Sequence, residues 1–147
     1  MRYIVLAVLL SLASCGPKAT TLEDFHTRPV TLPGGQVIHV ETMISDFEML
    51  RGLMFRTSLA PDRGMLFVHP KPEHYKYWMY QTLIPLDIVW LDSNRDIVEM
   101  VADAQPCKTQ ASKCAQYGGK QISSFVLEIP GGMARKFGLQ LGQRIQF

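Results

Sequence analysis

The chain has 147 residues, of which 47% are hydrophobic and 19% are charged, and its formal net charge is +2. This length suits one domain with a real core, and the composition excludes a disordered chain, collagen, a coiled coil and a polytopic membrane protein. The basic residues are scattered along the chain, so we expect no nucleic-acid interface.

The N-terminal segment has the pattern of an export signal. After a basic start, an apolar run covers residues 3–12, and small residues lead up to Cys15. The run is too short for a hydrocarbon core of about 30 Å, which takes about 20 helical residues. The pattern resembles a bacterial lipoprotein signal, which implies a signal peptide over residues 1–14, a lipid on Cys15 and a tether over residues 15–27. We therefore expect a cell-envelope protein, membrane-anchored through Cys15 and facing the periplasm, and Gly16 favours the outer membrane over the inner.

Short apolar segments separated by turns follow the tether. Ser45 and Glu48 form a capping box, which predicts a helix over residues 46–54. Fully apolar, aromatic or alternating runs predict strands over residues 30–32, 37–42, 65–68, 75–80, 86–91 and 97–101. This order of elements indicates a chain built mainly from strands.

Two cysteines lie in the next, polar segment. Cys107 and Cys114 are seven positions apart, and an even number of cysteines in an oxidising compartment predicts a disulfide. A redox pair normally has two intervening residues, and no histidine or further cysteine completes a zinc set. We therefore favour a structural disulfide over a redox or metal site.

The last part of the chain completes the predicted fold. Strands are predicted over residues 124–129 and 144–147, and Gly138 is placed to end a helix over residues 133–137. The helices are too few to cross over a parallel sheet. Residues 28–147 are therefore predicted to form one mainly β domain, a compact antiparallel β-sandwich or barrel-like jelly roll with two short helices.

Five segments together resemble one known family. They are residues 51–56 (Arg-Gly-Leu-Met-Phe-Arg), 64–67 (Gly-Met-Leu-Phe), 78–88 (Trp-Met-Tyr-Gln-Thr-Leu-Ile-Pro-Leu-Asp-Ile), 126–130 (Val-Leu-Glu-Ile-Pro) and 139–144 (Leu-Gln-Leu-Gly-Gln-Arg). In this order they closely resemble the domain of unknown function 192 family. The resemblance implies a β-sandwich of jelly-roll type and no agreed biochemical activity. Where the family usually has Lys-Asn-Thr after Trp-Met, this chain has Tyr80, Gln81 and Thr82.

Asp87 is the most informative candidate site residue. It is the only polar residue in the apolar segment 86–91. A carboxylate inside an apolar face needs a cation or several hydrogen-bond donors, and Arg51 and Arg56 are the obvious partners. The pair is expected to be either an internal tie or one end of a small polar cleft, where an Arg fork suits a carboxylate or phosphate.

A small polar or anionic ligand is expected in this cleft, and its candidate binding residues are Arg51, Arg56, Met65, Trp78, Gln81 and Asp87. The methionines are interpreted as core residues rather than Cu(I) ligands, and the four histidines as surface or loop residues, because neither shows ligand spacing. We therefore expect no metal and no cofactor.

Three classes of function stay open at this point. A lipid-anchored binding or accessory module is favoured over an enzyme, because no nucleophile motif occurs. The enzyme alternative acts on an envelope carbohydrate or similar polar substrate through Asp87, which could meet Asp92 and Glu128 as a carboxylate pair. The third class is a purely structural envelope lipoprotein that docks on an unknown protein partner.

Overall fold

The computed structural model describes residues 26–147, so the predicted signal peptide and Cys15 lie outside the described residues. The strands of this range are β1 (Thr27–Thr31), β2 (Val37–Met43), β3 (Arg63–Glu73), β4 (Lys76–Trp78), β5 (Leu86–Leu91), β6 (Ile97–Ala104), β7 (Gln116–Gly118) and β8 (Ser123–Pro130), and its α-helices are α1 (Asp46–Arg51) and α2 (Met133–Lys136). The predicted mainly β class with two short helices is confirmed.

The strands form one large and one small sheet. Six strands pair in the order β1-β2-β3-β8-β5-β6, and β4 pairs with β7. All pairs are antiparallel except β2 and β3, which run parallel. Parallel neighbours need a crossover connection, and here the segment between Met43 and Arg63, which contains α1, supplies it. Only antiparallel strand pairs were predicted from the sequence, because a single short helix does not indicate a crossover connection.

Strand β5 shows how the large sheet separates two cores. Its six residues are all buried, which indicates cover on both faces. Leu86, Ile88 and Trp90 belong to one cluster, and Val89 and Leu91 belong to the other. The second cluster packs against α2, whereas the first also contains Phe67 of β3 and packs against Tyr77 of β4. The small sheet therefore covers the face that carries Trp90.

Helix α1 begins as predicted and ends early. The Ser45 hydroxyl accepts from the Glu48 amide, and the Glu48 carboxylate accepts from the Ser45 amide at 3.1 Å. The helix ends at Arg51 because Gly52 has a φ of 44°, which no helix allows. None of its residues is buried, since the crossover leaves it on the rim of the sheet.

Two predicted strands differ from the structure. The aromatic segment 75–80 contains only the three-residue strand β4, because the chain turns at Gln81, which has a φ of 55°, and the Thr82 amide donates to the Met79 carbonyl. Residues 144–147 form isolated bridges, Thr31 to Gln146 and Asp96 to Arg144, instead of a continuous strand.

The predicted disulfide is confirmed. Cys107 and Cys114 are bonded, and a turn of 3-10 helix over Ala111–Lys113 lies in the loop between them.

Candidate functional site

The carboxylate of Asp87 is held by backbone amides and not by an arginine. It accepts from the amides of Asp103 at 2.7 Å, Gly132 at 3.0 Å and Ala134 at 2.6 Å, and the residue is 0% exposed. These donors tie β5 to β6 and to the start of α2. The predicted Arg–Asp87 pair is therefore wrong, because three backbone donors satisfy the carboxylate instead.

The two arginines lie on the opposite face of the sheet. The Arg56 guanidinium donates to both carboxylate oxygens of Glu41, each at 2.6 Å. This bidentate ion pair attaches the crossover segment after α1 to strand β2. Arg51 is exposed at the end of α1, and within residues 26–147 no carboxylate lies within ion-pair distance of it. Of the predicted cleft residues, Arg51 therefore has a guanidinium group without an ion-pair partner in residues 26–147, but it does not lie beside Asp87.

The remaining predicted residues are divided between two neighbouring cavities. Met65 lines a smaller cavity of about 340 Å³ together with Arg51 and Arg56. Trp78 and Arg51 line a larger cavity of about 420 Å³. The Gln81 side chain donates to the Tyr80 hydroxyl at 3.2 Å, and so supports a wall of the larger cavity. The structure therefore brings Arg51, Arg56 and Met65 together, and separates all three from Asp87.

The larger cavity is named the aromatic cleft here. It opens to solvent between α1, β3 and β4, and its rings are Phe67, His69, Tyr75, Tyr77, Trp78 and Tyr80. Trp78 and Tyr80 form one wall, with ring centroids 5.4 Å apart and planes inclined by 47°. The strand predicted over 75–80 would put Tyr77 on the face opposite Trp78 and Tyr80, whereas all three rings line the cleft because the strand ends at Trp78.

His69 and Tyr77 form the second wall. The Nε2 atom of His69 lies 3.0 Å from the Tyr77 hydroxyl, and the imidazole stacks on Tyr75 with centroids 3.4 Å apart. Burial lowers the pKa of His69 to about 4, so the imidazole is neutral at physiological pH. Burial also raises the pKa of the Tyr77 hydroxyl, and the nearby Glu128 raises it further. His69 was interpreted as a surface or loop residue; it lies in strand β3 and is half-buried where it lines the cleft.

Glu128 is the acid of the aromatic cleft. It lies on β8 opposite Met65 and Ile88, lines the cleft, and is only 5% exposed. Within residues 26–147, no side chain or amide donates a hydrogen bond to its carboxyl group. Burial raises the pKa of Glu128 to about 8. From the sequence, Glu128 was considered only as a partner of Asp87 in a carboxylate pair. The two acids instead lie on opposite faces of adjacent strands.

The described residues hold no group suited to a metal ion. No three His, Cys, Asp or Glu side chains of residues 26–147 come together as ligands. No helix of this range is long and apolar enough to cross a membrane.

The protein is a mainly β domain whose aromatic cleft contains one buried acid. Residues 29–147 match the DUF192 family, whose description is "Uncharacterized ACR", and the chain belongs to that family. The resemblance found in its motifs is therefore confirmed. The comparison with curated proteins gives no match.

Two solved structures share this fold. A protein of unknown function from Novosphingobium aromaticivorans is 29% identical with a TM-score of 0.75, and the match covers 91% of this chain and 94% of that chain. A protein from Sinorhizobium meliloti, described as a candidate transcription regulator, is 27% identical with a TM-score of 0.71. That match covers 80% of this chain and 89% of the other.

Proposed function

We propose that the protein is a lipid-anchored envelope protein whose aromatic cleft binds a small polar ligand. One observation carries the proposal: the buried Glu128 carboxyl has no hydrogen-bond donor in residues 26–147, although it lines a cleft of about 420 Å³. The Glu128 carboxyl oxygens are accessible from the cleft, and a polar group that projects into a largely apolar pocket is a typical anchor for a small ligand. The aromatic walls fit such a site, since rings bury much area with few rotatable bonds.

Binding is favoured over catalysis because the acid on which the enzyme alternative depended is inaccessible. Asp87 is fully buried and its carboxylate accepts three backbone hydrogen bonds. A general acid or nucleophile must reach its substrate, and Asp87 does not reach the cleft. A purely structural lipoprotein would have no need of an open cavity with an unpaired acid.

The envelope location rests on the N-terminal sequence. The basic start, the apolar run over residues 3–12 and the small residues before Cys15 all support a lipoprotein signal. Several acyl chains on Cys15 would give stable anchoring, at about 0.8 kcal/mol per buried methylene. In this setting the cleft would face the periplasm, where small envelope or nutrient molecules are available.

The binding proposal is tested on protein purified from membranes. Native mass spectrometry of the wild type should show a bound small molecule. Leu50 lines the cleft and is 64% exposed, whereas Phe47 on the same helix is 75% exposed and lines only the smaller cavity. Leu50→Trp should fill the cleft and remove the bound molecule, and Phe47→Trp should retain it. Equal occupancy in both variants, or no bound molecule in the wild type, would contradict the proposal.

A further inference from the structure

The base and the rim of the aromatic cleft differ in their charges. Glu128 lies in the buried part, where no cation of residues 26–147 pairs with it. Asp46, Arg51 and Lys76 are all exposed and line the opening. Solvent and salt screen the rim charges strongly, with a Debye length of about 8 Å at physiological ionic strength, and screen a buried carboxylate much less. The electrostatic preference at the base is therefore set by Glu128.

The rings around this acid add a second preference for positive charge. Trp78 and Tyr80 are inclined by 47° with centroids 5.4 Å apart, so the two rings contact each other and form one aromatic wall of the cleft. Tyr77 stands on the other side of the cleft, fixed edge-on against Phe67 and Trp90. The face of an aromatic ring attracts a cation within about 6 Å of its centroid, and desolvation strengthens the attraction.

We infer that the aromatic cleft takes a small organic cation, a quaternary or protonated amine, with its ammonium group against the Glu128 carboxylate. The inference rests on the proposed function of the cleft and names its ligand class. An ammonium group supplies the positive charge that the unpaired carboxylate lacks, and its methyl or methylene groups pack on the rings. An anionic ligand would instead meet the acid at the base, and the anionic class expected from sequence depended on an Arg–Asp87 site that does not exist.

Binding of such a cation is coupled to loss of a proton. Burial raises the pKa of Glu128 to about 8, so the empty cleft holds a neutral carboxyl at pH 7. A bound cation favours the ionised form, and the proton leaves to solvent. The other charged or titratable groups that face the cleft are Asp46, Arg51, His69, Tyr75, Lys76, Tyr77 and Tyr80. The His69 imidazole stays neutral above pH 6 because burial lowers its pKa to about 4.

The test is calorimetric titration of the wild type with choline and with 3,3-dimethylbutan-1-ol, its uncharged isostere. Choline keeps its charge at every pH, so any pH dependence belongs to the protein. We expect choline to bind about tenfold or more tightly than the isostere at pH 9. Choline affinity should fall from pH 8 to pH 6, at most about tenfold per pH unit and in total by no more than the ratio of its affinities for the ionised and the neutral carboxyl. Titrations in two buffers of different ionisation heat should show proton release at pH 7.

Glu128→Gln keeps the shape of the side chain and removes its charge. This variant should lose the preference for choline and the pH dependence. Glu73→Gln is the matched control, because Glu73 is an exposed acid of β3 that pairs with Lys71 outside the cleft, and it should behave as the wild type. If Glu128→Gln does not fold, the proton release of the wild type still decides the question.

The outcomes separate this inference from the proposed function. Equal binding of choline and its isostere, or tighter binding of 3,3-dimethylbutanoate, would overturn the cationic class and leave a binding cleft. Failure of choline to bind wild type at pH 9 would also overturn it. Loss of the co-purified molecule in Leu50→Trp tests the cleft independently of ligand charge.

Discussion

At the scale of single residues, two buried acids on neighbouring strands have opposite environments. Asp87 receives three backbone N–H donors, from β6 and from the start of α2. Glu128 receives none from residues 26–147 and faces a cavity. Burial without donors raises the pKa of the Glu128 carboxyl. The two residues therefore differ in what they do: Asp87 holds elements together, and Glu128 is available to a ligand.

Asp87→Asn should destabilise the fold. An amide in place of the carboxylate presents an NH₂ group to backbone donors, so at least one buried N–H loses its acceptor. Each such loss costs about 1–3 kcal/mol, and we expect about 2–4 kcal/mol in total. Urea unfolding of both proteins measures this difference. Asp92→Asn, at the turn between β5 and β6, is a control at a partly buried acid: both backbone amides that bond Asp92 donate to Oδ1, an oxygen that asparagine retains, so a smaller effect is expected. A change below about 0.5 kcal/mol for Asp87→Asn would show that the three bonds contribute little.

Glu128→Gln should stabilise the fold at high pH. The pKa of Glu128 is raised from 4.5 to about 8 in the folded protein, so folding retains a proton that the unfolded chain has lost. The free energy of unfolding of the wild type therefore falls as pH rises from about 4.5 to about 8. Above pH 8, Glu128 contributes no further change. The variant should be more stable than wild type at pH 9, by up to about 5 kcal/mol, and nearly equal at pH 4. Urea unfolding across pH measures the difference, and parallel profiles would contradict it.

At the scale of elements, the disulfide secures one wall of the cleft. The Cys107 amide donates to the Met79 carbonyl at 3.0 Å, and the Gln81 amide donates to the Cys107 carbonyl at 3.2 Å. On the far side of the loop, β7 pairs with β4 and places Gln116 opposite Trp78. The disulfide closes the loop between these two contacts. Cys107 is hydrogen-bonded to the segment that follows β4, and Cys114 lies just before β7.

Removal of the disulfide should loosen the small sheet before it unfolds the domain. Thiol labelling of the unreduced protein should detect no reactive Cys107 or Cys114. The double variant Cys107→Ser/Cys114→Ser should lose about 2 kcal/mol, as expected for a short closed loop. Hydrogen exchange should accelerate in β4 and β7 while β5, which lies between β8 and β6 in the large sheet and is fully buried, stays protected. Uniform acceleration in all three strands would show that the bond stabilises the whole domain instead.

Local signals predicted the elements better than their contacts. The capping box of α1 and the apolar run of β5 depend on neighbours in sequence, and both predictions were correct. Asp87 and Glu128 are each a single acid in an apolar strand, so their sequences gave the same signal. What separates them is register and distant donors: Ala134 lies 47 positions from Asp87. The parallel pairing of β2 with β3 was not predicted for a similar reason: it depends on a crossover segment that contains only a short helix.

At the scale of the whole molecule, the two faces of the large sheet have different roles. One face is closed by α2 and fixed through Asp87. The other is covered by the small sheet and opens into the aromatic cleft. Strand β1, with which the described domain begins, lies at the edge of the sheet. If Cys15 carries the proposed lipid, residues 15–25 would allow the domain a reach of at most about 40 Å from the membrane surface.

The last prediction concerns the proposed lipid anchor on Cys15. If Cys15 carries lipid, Cys15→Ala should move the protein from the membrane fraction to the soluble periplasm, because one short apolar run does not span a bilayer. Detergent-phase partition and the mass of the mature N-terminus measure both location and acylation. The Cys107→Ser/Cys114→Ser variant keeps Cys15 and should stay in the membrane fraction with its acyl mass intact. A membrane-bound Cys15→Ala protein, or a wild type without acyl mass, would show that the domain reaches the membrane by another route.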